Sequence, residues 1–142
     1  MAMDRLLSKL TRGQLEQVLS QRIQALYLTQ LGHRPSKVSC EVFDDNLAIV
    51  IEDSITPSEQ ILLNNGQMQL AQQVRSDLDK AIQPQLKELI EEVMNVPVID
   101  LLSDATLETG RAGTIAVLAA VPQVRNPSSI SKGRSPDNVQ PR

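Results

Sequence analysis

GQMQLAQQVRSDLDKAIQPQLKELIEEVM, residues 66–94, carries the longest helical signal in the chain. Ala71, Val74, Leu78, Ile82, Leu86, Leu89 and Val93 recur at three- and four-residue spacing, which lays one apolar stripe along one helical face. Gln72, Arg75, Asp79, Lys80, Gln83, Lys87, Glu91 and Glu92 fall on the opposite face. A two-faced helix must bury its stripe on something, and the strand patterns on either side of it are the natural partner. Pro84 removes a backbone donor and crowds the preceding turn, at roughly 3 kcal/mol in a helix interior. The stripe keeps its phase across Pro84. The stretch therefore predicts one bent helix, or two nearly collinear ones that break near 82–84, ended by Asn95.

Working outward toward the N-terminus, Thr56-Pro57-Ser58-Glu59 is a helix start: Thr56 caps, Pro57 suits the first helical position, and Glu59 completes a capping box. The helix it opens is short, about 57–63, and Asn64-Asn65-Gly66 stops it. Before it the period changes from helical to alternating. Val38, Cys40 and Val42 alternate with polar neighbours, Asp44-Asp45-Asn46 makes a turn, and Leu47 to Ile51 are apolar on both sides. That pattern predicts a β-hairpin whose second strand lies inside a sheet. Further back, Thr11 and Gln14 form a capping box for a second amphipathic helix, about 12–31, which Gly32 and Pro35 end. Residues 1–10 read as a short lead with a frayed turn.

Toward the C-terminus, 96–103 predicts a third strand, 104–113 a polar loop with Gly110 and Gly113 as turn formers, and 114–121 (TIAVLAAV) a central fourth strand. From residue 122 the chain is rich in Pro, Ser, Asn and basic residues and has too little apolar surface to offset ordering entropy. The expected organisation is a single domain over 1–121 and a disordered basic tail over 122–142. The order α-β-β-α-α-β-β predicts a two-layer α+β sandwich, with helices on one face of a four-stranded, mainly antiparallel sheet. If the other face is also apolar, a second copy of the chain is its simplest cover.

Charge and composition narrow the partners. The chain has 142 residues and a net charge of −3. Arg125, Lys132, Arg134 and Arg142 against Asp137 make the tail +3, which leaves −6 on residues 1–121. A body that acidic, with Tyr27 and Phe43 as its only aromatics, is a poor nucleic-acid partner. One cysteine, Cys40, excludes an intramolecular disulfide and a CxxC metal site, and its strand position reads as a buried, inert thiol. No signal-peptide core and no apolar run of membrane-spanning length is present, so the expected location is cytoplasmic.

No catalytic constellation emerges. His33, the one histidine, sits in the turn Gly32-His33-Arg34-Pro35 without a positioned partner, and with one distant cysteine it cannot make a zinc site. Asp44-Asp45-Asn46 lacks the loop that calcium needs. Glu88, Glu91 and Glu92 read as a solvated charge run. Asn64 to Gln67 precedes a helix N-terminus but carries no phosphate-binding fingerprint. Arg75 is the residue to watch: it can pair with Asp79 four positions on, or reach the 104–110 loop. Polar loops on a rigid sheet are where sites are placed, so Arg75, Asp104, Thr109 and Gly110 are the candidate ligand-binding residues. Neither a metal nor a cofactor is expected, and a locally bonded turn is the plainer reading of 104–110.

Several of these residues together carry a family resemblance: Gly32-His33-Arg34-Pro35, Ile55-Thr56-Pro57-Ser58-Glu59, Gly66, Val74-Arg75, Pro84 ahead of Leu89-Ile90-Glu91-Glu92, and Asp104 followed by Thr109-Gly110. In order and spacing, over about 11–121, the chain resembles the small bacterial MpsC-like family, named for a Na-translocating, membrane-potential-generating system. The resemblance implies a small soluble protein tied by name to a membrane system for sodium or inorganic-carbon handling, and it implies no activity. The expectation is therefore a non-enzymatic interaction or regulatory module, homo-oligomeric (a homodimer in the simplest case), docking to a larger protein assembly at a membrane. The second reading is a small-ligand or ion sensor built on Arg75 and the 104–110 loop.

Overall fold

A computed structural model describes residues 10–125; the 1–9 lead and most of the basic tail lie outside the described residues. The elements are α1 (Arg12–Leu31), β1 (Lys37–Phe43), β2 (Asn46–Glu52), α2 (Pro57–Asn64), α3 (Met68–Met94), β3 (Val98–Thr106) and β4 (Arg111–Leu118). This is the expected α-β-β-α-α-β-β order. The four strands form one antiparallel sheet in the order β1-β2-β4-β3, so the two strands with apolar residues on both sides are the central pair.

The helix ends follow the local chemistry. Thr11 and Thr56 each close a capping box, with Gln14 and Glu59. Gly32, at φ 68°, ends α1 in the left-handed region that a side chain disfavours. The long helix runs unbroken through Pro84 as one element, not two. Pro84 is exposed, and so is Lys80, whose carbonyl loses its donor there. Water can then serve that carbonyl.

Alternation sorts the sheet's two faces. Leu47, Ile49 and Ile51 of β2 and Ala112, Thr114, Ala116 and Leu118 of β4 are buried under the helices, joined by Val38, Val42 and Val98. α1 contributes Leu15, Leu19, Ile23 and Tyr27 to this core, and α3 contributes Ile82, Leu86, Leu89, Ile90, Val93 and Met94. The core is aliphatic, as composition dictates. The opposite sheet face has no helix on it among the described residues. Val50, Ile115, Leu102 and Phe43 lie open there.

Three expectations need correction. The segment 104–113 is mostly not a loop: β3 continues to Thr106, β4 begins at Arg111, and only the tip turns. The polar residues misled because this hairpin has a solvent side and a free edge, where Asp104 and Thr106 fit a strand. The strand predicted over 114–121 also ends early, at Leu118. The third correction concerns α3, whose polar face does not include Arg75; that side chain is buried. At the chain's far end, Pro122 is buried and the Arg125 N–H donates to the Leu10 carbonyl at 2.8 Å, so the described start of the tail runs back along the entry to α1.

Candidate functional site

Helix α2 is short, and the residue that anchors it is Glu59, with no exposed surface. Its capping role accounts for part of its surroundings: the Thr56 N–H and hydroxyl donate to Glu59 Oε1 at 3.0 and 2.8 Å. The remainder comes from α3. Arg75, 4% exposed, lays its guanidinium against the carboxylate as a fork, with Nε to Oε2 at 2.7 Å and Nη2 to Oε1 at 2.5 Å. Arg75 Nη2 also donates to the Ser54 carbonyl at 2.9 Å, and Nη1 to Asp79 Oδ1 at 3.1 Å. Ser54 in turn donates from its N–H and its hydroxyl to the Gly110 carbonyl, at 2.8 and 3.0 Å. One cation thus ties α2, α3, the end of β2 and the β3–β4 turn together.

Of the two destinations open to Arg75, the structure shows the pairing with Asp79, and the turn is reached only through Ser54. A guanidinium has five N–H donors, and this one has committed four. Glu59 is fully engaged as well. The charges follow from the contacts. Burial alone would raise the Glu59 carboxyl, but Arg75 and the Thr56 donors outweigh it and hold it below its ordinary range. Burial works against the Arg75 charge, and Glu59 with Asp79 more than restores it, pushing its pKa up. Asp79 goes the other way. Burial raises it, the Arg75 charge lowers it only in part, and the charges of Glu59 and Asp104 raise it further.

Beside this network lies a cleft of about 560 Å³ between the first half of α3 and the free edge of β3. Arg75, Asp79, Lys80 and Gln83 line it from the helix, and Ser103, Asp104, Thr106 and Glu108 from the hairpin. The volume lies in the range of small-molecule sites. Of the sequence candidates, Arg75 and Asp104 meet in this cleft. Thr109 does not line it: its hydroxyl bonds to the Thr106 hydroxyl and accepts from the Arg111 N–H at 3.3 Å. Gly110, at φ 75°, turns the hairpin and receives Ser54.

Three residues of this region carried no functional expectation. Glu59 was legible only as a cap. Asp79 belonged to a charged face, and Tyr27 was just an aromatic in a helix. A signal for Arg75's burial did exist. Position 75 stands four after Ala71 and seven before Ile82, inside the stripe's own phase, but its charge argued for the outside. His33 packs against the Asp53 carbonyl, with Nε2 at 2.8 Å. Cys40 is half-buried, and burial pushes its thiol up to about 11; the Ser20 contact lowers it and Glu16 raises it. Among the described residues no group of three His, Cys, Asp or Glu could hold a metal ion. No helix there is long and apolar enough to cross a membrane.

Fold and site together define a two-layer α+β domain with one sheet face open among the described residues, a buried Glu59–Arg75 pair joined by the half-buried Asp79, and a cleft beside the sheet's free edge. The chain belongs to the family described as the Na+-translocating membrane potential-generating system (MpsC), whose profile matches residues 11–120. Neither the curated proteins nor the solved structures yield a match.

Proposed function

We propose that this protein is a non-enzymatic interaction or regulatory module, which self-associates through the open face of its sheet and serves a larger assembly at a membrane. One observation supports the self-association: the sheet face opposite the helices is apolar at its centre, and no described residue covers it. Register places Ala48, Ile115 and Leu102 in one row across β2, β4 and β3, with Val50 and Gly113 in the next and Val117 on the other side. Val50 is 42% and Leu102 56% exposed. The rim is charged with both signs: Lys37, Glu41, Asp104, and the Arg111–Glu52 pair at 2.8 Å. A two-fold axis sets such a patch on itself and lets unlike rim charges meet. The membrane association is supported by the family's description.

The test is light scattering on the full chain, followed by capture of partners from solubilised membranes with and without residues 122–142. A monomer that captures nothing in either form contradicts the proposal. The cleft favours a second reading, in which the module senses a small ligand held between Arg75 with Asp79 on α3 and Asp104 on β3.

A further inference from the structure

The sheet's two edges are finished differently. At β1, Val42 donates its outward N–H to Glu16 Oε2 at 2.7 Å, and Arg12 Nη1 donates to the Val42 carbonyl at 3.5 Å, so α1 closes that edge. β3 is the other edge strand, and α3 bonds only to its start, where the Val98 N–H donates to Glu91 Oε2 at 2.9 Å. Further along, the Leu101 N–H donates to Asp100 Oδ1 at 3.0 Å and the Ala105 N–H to Asp104 Oδ1 at 2.8 Å, each within its own strand. Antiparallel ladders alternate, so Ser103, between those two, also turns its N–H and carbonyl outward, and no described residue takes that N–H. Such an edge is a template for another strand.

The edge has two flanks. Asp100, Leu102 and Asp104 stand on the side of the open face, all exposed. Ser103 and Ala105 stand on the helix side, and Ser103 is exposed as well, because α3 keeps its distance. The gap between them is the cleft of about 560 Å³, which Met68, Gln72, Ser76 and Gln83 line from α3 and Leu107 from the turn. Asp79 and Lys80 bring opposite charges to it, so it suits uncharged side chains. β3 itself carries no basic residue. A second copy paired edge to edge would bring aspartates near aspartates, and like charges across a strand pair destabilise it. A basic strand has the opposite effect. Each aspartate can give up its backbone N–H to an incoming carbonyl and take a Lys or Arg in exchange.

We infer that β3 binds an extended basic segment of a partner protein, paired antiparallel along 101–105. Its basic side chains meet Asp100 and Asp104, an aliphatic one between them meets Leu102, and its uncharged ones enter the cleft. Antiparallel pairing matches the rest of the sheet, and parallel pairing is slightly less stable. The inference rests on the reading of the chain as an interaction module. An added strand lies in the plane of the sheet, so this contact is separate from self-association through the open face.

The experiment is an amide NMR titration of the full chain with the end-blocked peptide TKTVTKT. TETVTET reverses its charges, and PKPVPKP keeps them but lacks the N–H groups that pairing needs. A saturable downfield movement of the Ser103 amide proton, with shifts at Leu101 and Ala105, is expected from TKTVTKT alone. Ser103→Ala should bind as the native chain does. Ser103→Pro removes the outward donor but no ladder bond, and should not bind. Asp100→Lys with Asp104→Lys should weaken TKTVTKT about tenfold or more and accept TETVTET instead. Equal binding of PKPVPKP overturns the strand pairing, and equal binding of TETVTET by the native chain overturns the basic partner. Shifts centred on Val50 and Ile115 move the peptide to the open face and overturn the edge site. Edge shifts that follow the chain's own concentration without peptide give the edge to a second copy and overturn it too. Silence in every arm overturns the edge site and leaves the open-face self-association standing, since light scattering reads that separately.

Discussion

Arg75 and Glu59 hold each other's charge in a place neither would occupy alone. Removing one partner of a buried pair leaves the other uncompensated, at about 3–5 kcal/mol. Arg75→Ala should cost about that much at pH 7, and the pH dependence should change sign with it. In the native protein the Glu59 pKa is depressed. Its contribution is complete above the unfolded value of about 4.3 and is lost as pH falls through the lower, folded value. Without Arg75, burial raises that carboxyl instead, so the variant's deficit grows as pH rises through the raised value and shrinks toward pH 4. Urea melts at pH 7 and at pH 4.5 read this directly; an equal deficit at both would mean Glu59 does not carry it. Asp79 has the opposite sign, its raised pKa costing stability as pH rises through it. Tyr27, whose own ionisation burial and Asp79 push up to about 12, is neutral throughout this range. Because its hydroxyl has no partner among the described residues, Tyr27→Phe should leave the protein as stable as before, or more stable by up to about 1 kcal/mol. A clear loss in thermal melts would show that the hydroxyl is satisfied after all.

At the scale of the elements, Pro84 offers a clean measurement. It is exposed within a continuous α3, so Pro84→Ala should restore the bond to the Lys80 carbonyl and raise stability by roughly 1–3 kcal/mol. A loss would mean that the helix needs its proline to lay both halves of the stripe on the sheet. The contrast between elements also shows what a sequence can and cannot reveal. α1, α2 and the first hairpin were legible because short-range chemistry fixes them: Thr11 with Gln14, Thr56 with Glu59, and Asp44-Asp45-Asn46 each act within a few residues. The second hairpin was expected, but its turn was drawn too wide, because Asp104 and Thr106 are polar for reasons that lie outside the strand, at its free edge. The clamp was hidden for the same reason. Glu59 and Arg75 are 16 residues apart, and no local pattern signals that two charges will be buried as a pair.

For the whole molecule, the sheet's two faces have unequal fates. One is sealed by α1 and α3 over an aliphatic core. The other presents Phe43, Val50, Leu102 and Ile115 to solvent, a patch that monomers seldom leave open. A second copy of the chain is the cover we propose for it. Sedimentation equilibrium of the full chain from micromolar to about 100 µM, beside Val50→Lys, tests this most directly. A mass of twice 15.6 kDa is expected for the native chain, and a folded monomer for Val50→Lys, whose charge lands in the middle of the patch. A native chain that stays at a single mass of 15.6 kDa across the range, or a variant that dimerises as well as the native chain, would contradict it.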